Sequence, residues 1–139
     1  MSHVTNMSHI FNTCTVNGLN MKNWDTSNIN DMNNSFCNLT SYGGYGISYI
    51  KSLCPIHKGT STNDAFRNNI NLTTIEDSGT ISESVNFAYS PLTHDSALVL
   101  INALDAENPG TITLSTETYA TLTDEDKAIA TSKGWTIAS

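Results

Sequence analysis

Val4-Thr5-Asn6-Met7-Ser8-His9-Ile10-Phe11 and Ile29-Asn30-Asp31-Met32-Asn33-Asn34-Ser35-Phe36 are two copies of one pattern. The apolar anchors Val4, Met7 and Phe11 return 25 residues later as Ile29, Met32 and Phe36. Between them runs Leu19-Asn20-Met21-Lys22-Asn23-Trp24-Asp25-Thr26-Ser27-Asn28. A fixed period of this size marks a solenoid, in which one unit cannot bury its apolar face and stacks on the next. Such stacks present surface more often than they catalyse.

Within each copy the anchors fall at helical spacing on one face. Thr26, Ser27 and Asn28 precede Ile29 as N-cap residues. About two helical turns are therefore expected at the start of each unit. Leu19 and Met21 alternate with polar neighbours and predict a short strand. The next anchor is Phe66, 30 residues after Phe36, so the third unit carries about five extra residues. The excess falls in 41–60, where Tyr42-Gly-Gly-Tyr45-Gly-Ile-Ser-Tyr49 reads as a loop. Leu72–Ile75 and Ser84–Tyr89 read as further strands.

Residues 90–139 hold a different unit, used twice. Thr93 caps a helix with Asp95 in its first turn and Ala97, Leu98, Ile101 and Leu104 on its buried stripe. Asn108-Pro109-Gly110 is expected to stop it, and Thr111–Leu114 to form a strand. Thr123 caps a second helix, in which Ala128, Ile129 and Ala130 face inward. Lys133-Gly134 reads as a Schellman stop with Trp135 folding back. Trp135–Ala138 is the closing strand. Two helix–strand units in succession predict parallel strands with helices on one side. Their polar helix faces would cover the end of the stack.

Composition agrees with this picture. The 139 residues are 38% apolar and only 14% charged, with Asn, Ser and Thr filling the difference. That composition suits short strands and turns, because Asn tolerates left-handed backbone. Net charge is −7 and the acids gather after Asp64. No basic stripe points to nucleic acid. The longest apolar run, Ala97–Ile101, is too short to span a membrane. No signal peptide is read at the N-terminus.

The quoted residues resemble a known family. Val4–Phe11 and Asn23-Trp-Asp-Thr-Ser-Asn28-Ile29 are similar to BspA-like leucine-rich repeats, a type common in bacterial surface proteins and mycoplasma lipoproteins. Ser90-Pro-Leu-Thr-His-Asp95, Leu122–Ala130 and Gly134-Trp135 resemble the segment that follows such repeats in gut bacterial and bacteriophage proteins. The resemblance implies an α/β fold: a short right-handed leucine-rich-repeat solenoid with parallel strands, closed by a C-terminal helix–strand cap. Repeat units would occupy 1–89 and capping units 90–139, in one continuous domain. It implies an extracellular, cell-surface or virion location and a role in adhesion or recognition. It carries no shared catalytic residues.

The chemical motifs have structural explanations. Cys54-x-x-His57 has metal-ligand spacing, but Cys14 and Cys37 form no second paired half-site. The three cysteines read as small buried apolar residues. Ser90, His94 and Asp95 could mimic a hydrolytic triad, yet His94 and Asp95 are better placed as a first helical turn. Asp124, Glu125 and Asp126 lack the alternating ligands of a calcium loop and suit a helix N-terminus. Asp95, Asp105 and Glu107 read as solvated helix surface. The sequons at Asn6, Asn33, Asn38 and Asn71 follow from composition alone. Trp24 and Trp135 are expected to pack.

The candidate contacts for a partner are Tyr42, Tyr45 and Tyr49, because tyrosines on a Gly/Ser backbone are paratope-like. The expected function is therefore a non-enzymatic recognition module contacting a host-cell surface, with no metal or cofactor and no membrane insertion. Its partner would be a protein or glycan. The alternatives are a structural bacteriophage tail or fibre component and a fragment of a bacterial adhesin. A first unit without a cap further predicts a neighbouring domain or subunit stacked on that end.

Overall fold

The computed structural model describes residues 3–37 and 46–139. Its strands and helices build two small parallel sheets. The first joins β1 (Asn17–Asn20), β2 (Tyr49–Ser52) and β3 (Thr74–Ile75). The second joins β4 (Val85–Phe87), β5 (Thr111–Leu114) and β6 (Thr136–Ala138). Three helices complete the chain: α1 (His94–Ala103), α2 (Thr116–Ala120) and α3 (Asp124–Ser132).

The segments read as short helices are not helical. Residues 7–13 and 33–36 form successive tight turns. The reason lies in the backbone. Every second N–H closes a turn, as Ile10 to Met7, Asn12 to His9 and Cys14 to Phe11. The alternate N–H groups leave the segment sideways. Met7, His9, Phe11 and Thr13 donate to the carbonyls of Asp31, Asn33, Ser35 and Cys37, at 2.8–3.1 Å. Met32, Asn34 and Phe36 donate likewise to Ser61, Asn63 and Ala65. A residue with positive φ is what turns the alternate groups outward, and an α-helix admits none. Those residues recur in register: His9, Asn34 and Asp64, then Thr13 and Asn68, with φ of 54–61°.

The anchors point inward from these turns. Phe11, Phe36, Phe66 and Phe87 stack ring on ring, with centroids 5.8, 5.2 and 4.4 Å apart. Trp24 stacks on the outer side of Phe11. Such ring pairs contribute about 0.5–1.5 kcal/mol each beyond their burial. Polar side chains tie the same rows together. Ser35 Oγ donates to the Met7 carbonyl, Thr60 Oγ1 to Ile29, and Asn69 Nδ2 to both Phe36 and Phe66. A third line of parallel bridges joins Leu53 to Ser78, and Ile56 to Ile81 and then Leu104. Gly79 sits where this line passes Pro55, and a Cβ there would lie 2.6 Å from the Pro55 nitrogen.

The C-terminal units follow the expected order with corrections. Thr93 caps α1 and accepts from Ser96 N–H. However, α1 ends at Ala103, not at Asn108-Pro109-Gly110, because Leu104 turns extended to pair with Ile81. Its buried face is Ser96, Ala97, Leu100 and Ile101, while Leu98 is half-buried. The short α2 was not expected. Thr123 and Asp126 form a reciprocal capping box on α3. Ala130 is buried and Ala128 is exposed, contrary to expectation, since only one face of so short a helix meets α1. The stop is a Schellman motif: Gly134 has φ +78°, Trp135 N–H reaches Ala130 and Gly134 N–H reaches Thr131. Trp135 is buried, and its indole N–H donates to the Asp105 carbonyl at 2.7 Å. The strands expected over 72–75 and 84–89 shorten to β3 and β4. Cys37 and Cys54 are buried as expected, but Cys14 is exposed beyond the last bond of its turn.

Thr13 is the one β-branched residue among the left-handed positions. Asn adopts this conformation at lower cost. Thr13→Asn should therefore raise stability by about 1 kcal/mol in urea unfolding. A loss instead would mean that the Thr13 side chain holds the turn in place.

Candidate functional site

Among the described residues, the first sheet has one face left open. Leu19, Ile50 and Ile75 point into the core, while Gly18, Asn20, Tyr49, Lys51, Thr74 and Glu76 alternate outward. Tyr49 pairs with Asn17 on one side and Thr74 on the other. Its ring lies over Gly18, 3.5 Å from where a Cβ would be. The bare glycine (φ +76°) lets the ring lie against β1. Glu76 on the same face pushes the Tyr49 phenol pKa up. The ring thus lies flat against β1.

At the C-terminal ends of β1–β3, Asp77 gathers the polar groups. It accepts from Ser52 Oγ at 3.2 Å and pairs with Lys22 at 3.6 Å. That ion pair is exposed and adds little stability. Three clefts share Asp77 among their walls. One, about 340 Å³, takes Asn20, Lys51 and Glu76. One, about 320 Å³, takes Leu53, Pro55 and Gly79. The third, about 420 Å³, runs on to Asp95, Leu98, Val99 and Asn102 of α1. Together they form a shallow, mixed-charge groove beside Tyr49. Its walls carry hydrogen-bonding and ionic side chains.

Of the three tyrosines singled out from sequence, Tyr42 and Tyr45 lie outside the described residues. Tyr49 is in β2 rather than in a loop. Sequence reasoning missed Asn20, Lys22, Lys51, Glu76 and Asp77. The available signal was the alternation in Tyr49-Ile50-Lys51 and Thr74-Ile75-Glu76, which places the polar residues on one face.

The other motifs resolve individually. Ser90 is buried and its hydroxyl has no hydrogen-bond partner, so it does not join His94. His94 instead bridges two helices: Nε2 lies 2.9 Å from Asp126 and Nδ1 3.5 Å from Asp95. The Asp126 contact raises the His94 pKa above its ordinary value, and His94 in turn lowers that of Asp126. Asp126 therefore does more than offset a helix dipole. Asp105 is not bare helix surface either. Asn108, Ser82 and the Glu107 N–H donate to it and hold its carboxyl below the usual range. Burial pushes the Cys54 thiol up to about 12. Among the described residues no group of three His, Cys, Asp or Glu side chains is placed to hold a metal ion. No described helix is long and apolar enough to cross a membrane.

A family model described as "Mycoplasma protein of unknown function, DUF285" matches residues 1–71. The match spans the two sequence repeats, β1 and β2, and stops before β3. No curated protein and no solved structure gives a significant match.

The His94 bridge yields a pH prediction. A raised native pKa means its stabilisation is complete below the unfolded value of 6.5 and is lost as pH rises through the native value. Thermal melts should therefore fall across that window, and His94→Asn should flatten the fall. An NMR titration placing His94 at or below 6.5 would contradict the bridge.

Proposed function

The chain belongs to the DUF285 family of mycoplasma proteins of unknown function, and on that premise we propose that it is a non-enzymatic recognition module displayed at a surface. The observation that carries this reading is the uncovered face of the first sheet with its groove. Tyr49 lies flat over Gly18, and Lys22, Lys51 and Asp77 wall the cleft at the strand ends. Rigid aromatic groups among adaptable polar ones suit contact with a protein surface. The parallel rows and their lateral hydrogen bonds support the further proposal of a short right-handed leucine-rich-repeat solenoid of the BspA-like type, with α1–β6 as its cap. In such a fold the exposed sheet face is a natural place for a partner. The mycoplasma description of the family favours a bacterial cell surface over a virion.

The first turn supports a second contact. In the second turn the carbonyls of Asp31, Asn33, Ser35 and Cys37 accept lateral bonds. The equivalent carbonyls of Asn6, Ser8, Ile10 and Asn12 accept none from described residues. Ile10 is also 41% exposed. We propose that a neighbouring domain or subunit lays its N–H groups along this edge, as the first turn does on the second.

Binding of the purified chain to candidate host cells tests the main reading. Tyr49→Ala combined with Lys51→Ala should weaken attachment roughly tenfold, the scale of one interface anchor. Unchanged attachment would remove the sheet face. Sedimentation tests the edge: a concentration-dependent dimer is expected of the chain alone, and a strict monomer at high concentration would count against self-pairing through it.

A further inference from the structure

A second groove lies where the third turn meets the outer face of β4 and β5. It measures about 420 Å³. Two interactions build its floor: Thr62 Oγ1 donates to the Ser84 carbonyl, and Ser84 Oγ accepts from Thr111 N–H. Several groups that face outward are left unused by the described residues. Among the described residues, the Asn63 side-chain amide and the Thr111 and Thr113 hydroxyls make no hydrogen bond. Asn86 uses only its Oδ1, which accepts from Ala88 N–H. Asp64 gives one carboxylate oxygen to Arg67 at 3.2 Å, and the other accepts no hydrogen bond from the described residues. Asp64 is also one of the positive-φ residues, at 54°, so the lateral bonding of its turn fixes where the carboxylate stands.

A small hollow sharing Asp64 and Asn86 adjoins this groove, and its far wall is Tyr89. Tyr89 is 54% exposed, the most exposed large hydrophobic side chain among those described. The core does not need it there. An open aromatic face at one end, followed by two amides, two hydroxyls and a carboxylate, has the chemistry of a saccharide site. The ring would meet the C–H face of a pyranose, and the free donors and acceptors would meet its hydroxyls. The walls are too polar for an apolar ligand. Asp64 and Arg67 offset each other's charge, and the chain as a whole carries −7, which repels polyanions.

We propose that this groove binds an uncharged saccharide, with one sugar ring seated on Tyr89 and its hydroxyls held by Asp64, Asn86 and Thr113. This goes beyond the sheet-face reading. It concerns a separate set of residues, and either reading can fail alone.

The test is an NMR titration of the labelled chain with neutral hexoses, N-acetylhexosamines and their disaccharides. At least one probe should shift the resonances of Asn63, Asp64, Asn86, Thr111 and Thr113. Tyr89→Ala and Asn86→Ala should each weaken that binding roughly tenfold. Both side chains are exposed, so unchanged melting will show that the fold survives. Tyr89→Phe keeps the ring and should keep the binding, and Tyr49→Ala should leave it unaltered. No shift with any probe at about 50 mM, well above a millimolar dissociation constant, would overturn the proposal. So would binding that Tyr89→Ala leaves intact.

Discussion

The structure depends on where the backbone N–H groups of its tight turns can go. A turn closes only every second N–H on itself, and a buried N–H without a partner costs ~1–3 kcal/mol. The remainder must be met by the next turn along. Met7, His9, Phe11 and Thr13 meet the carbonyls of residues 31–37, and the second turn meets the third in the same way. No turn is therefore stable alone, and each defines the position of its neighbour. The stacked phenylalanines and the hydroxyls of Ser35 and Thr60 follow from that spacing. They fill the inside of a ladder the backbone has already set.

After Phe87 the same line is carried by ordinary strands, and helices take over the opposite side. Ordinary strands bond laterally through both N–H and C=O, so β4–β6 need no left-handed residues. What they need is a firm end to each helix. Leu104 ends α1 by pairing with Ile81, and Gly134 ends α3 through two backbone bonds. The contacts between the two helices are polar and specific. His94 meets Asp126 at one end, and Lys133 Nζ reaches the Asn102 carbonyl at 2.8 Å at the other. The latter places a cation at the C-terminus of α1, where the helix dipole favours it.

Two outward faces set polar side chains beside an aromatic ring, and they differ in kind. Beside Tyr49 the Lys22 and Ser52 side chains are already paired with Asp77, so a partner there would have to exchange contacts and match a shape. Around Tyr89 the Asn63 amide and the Thr111 and Thr113 hydroxyls bond to none of the described residues. The first arrangement fits a macromolecular surface, the second a small hydroxylated one. Both sets of side chains stand outward because the residues between them are committed to the core.

The residues themselves determined the 25-residue register, the inward anchors, the caps at Thr93 and Thr123 and the stop at Gly134. Each rests on contacts within a few positions or on one repeated spacing. The tertiary structure decided the rest. Helical spacing of Val4, Met7 and Phe11 is equally the spacing of successive turns, and only a neighbouring turn that accepts the sideways N–H groups selects between them. Tyr49 was legible as a candidate contact. Its setting was not, because Gly18 belongs to β1 whereas Glu76 and Asp77 directly follow β3, two segments that sequence order keeps far apart. Tyr89 and Asp64 were invisible as a pair for the same reason. The anchors are local properties of the chain, whereas a groove exists only once the rows lie side by side.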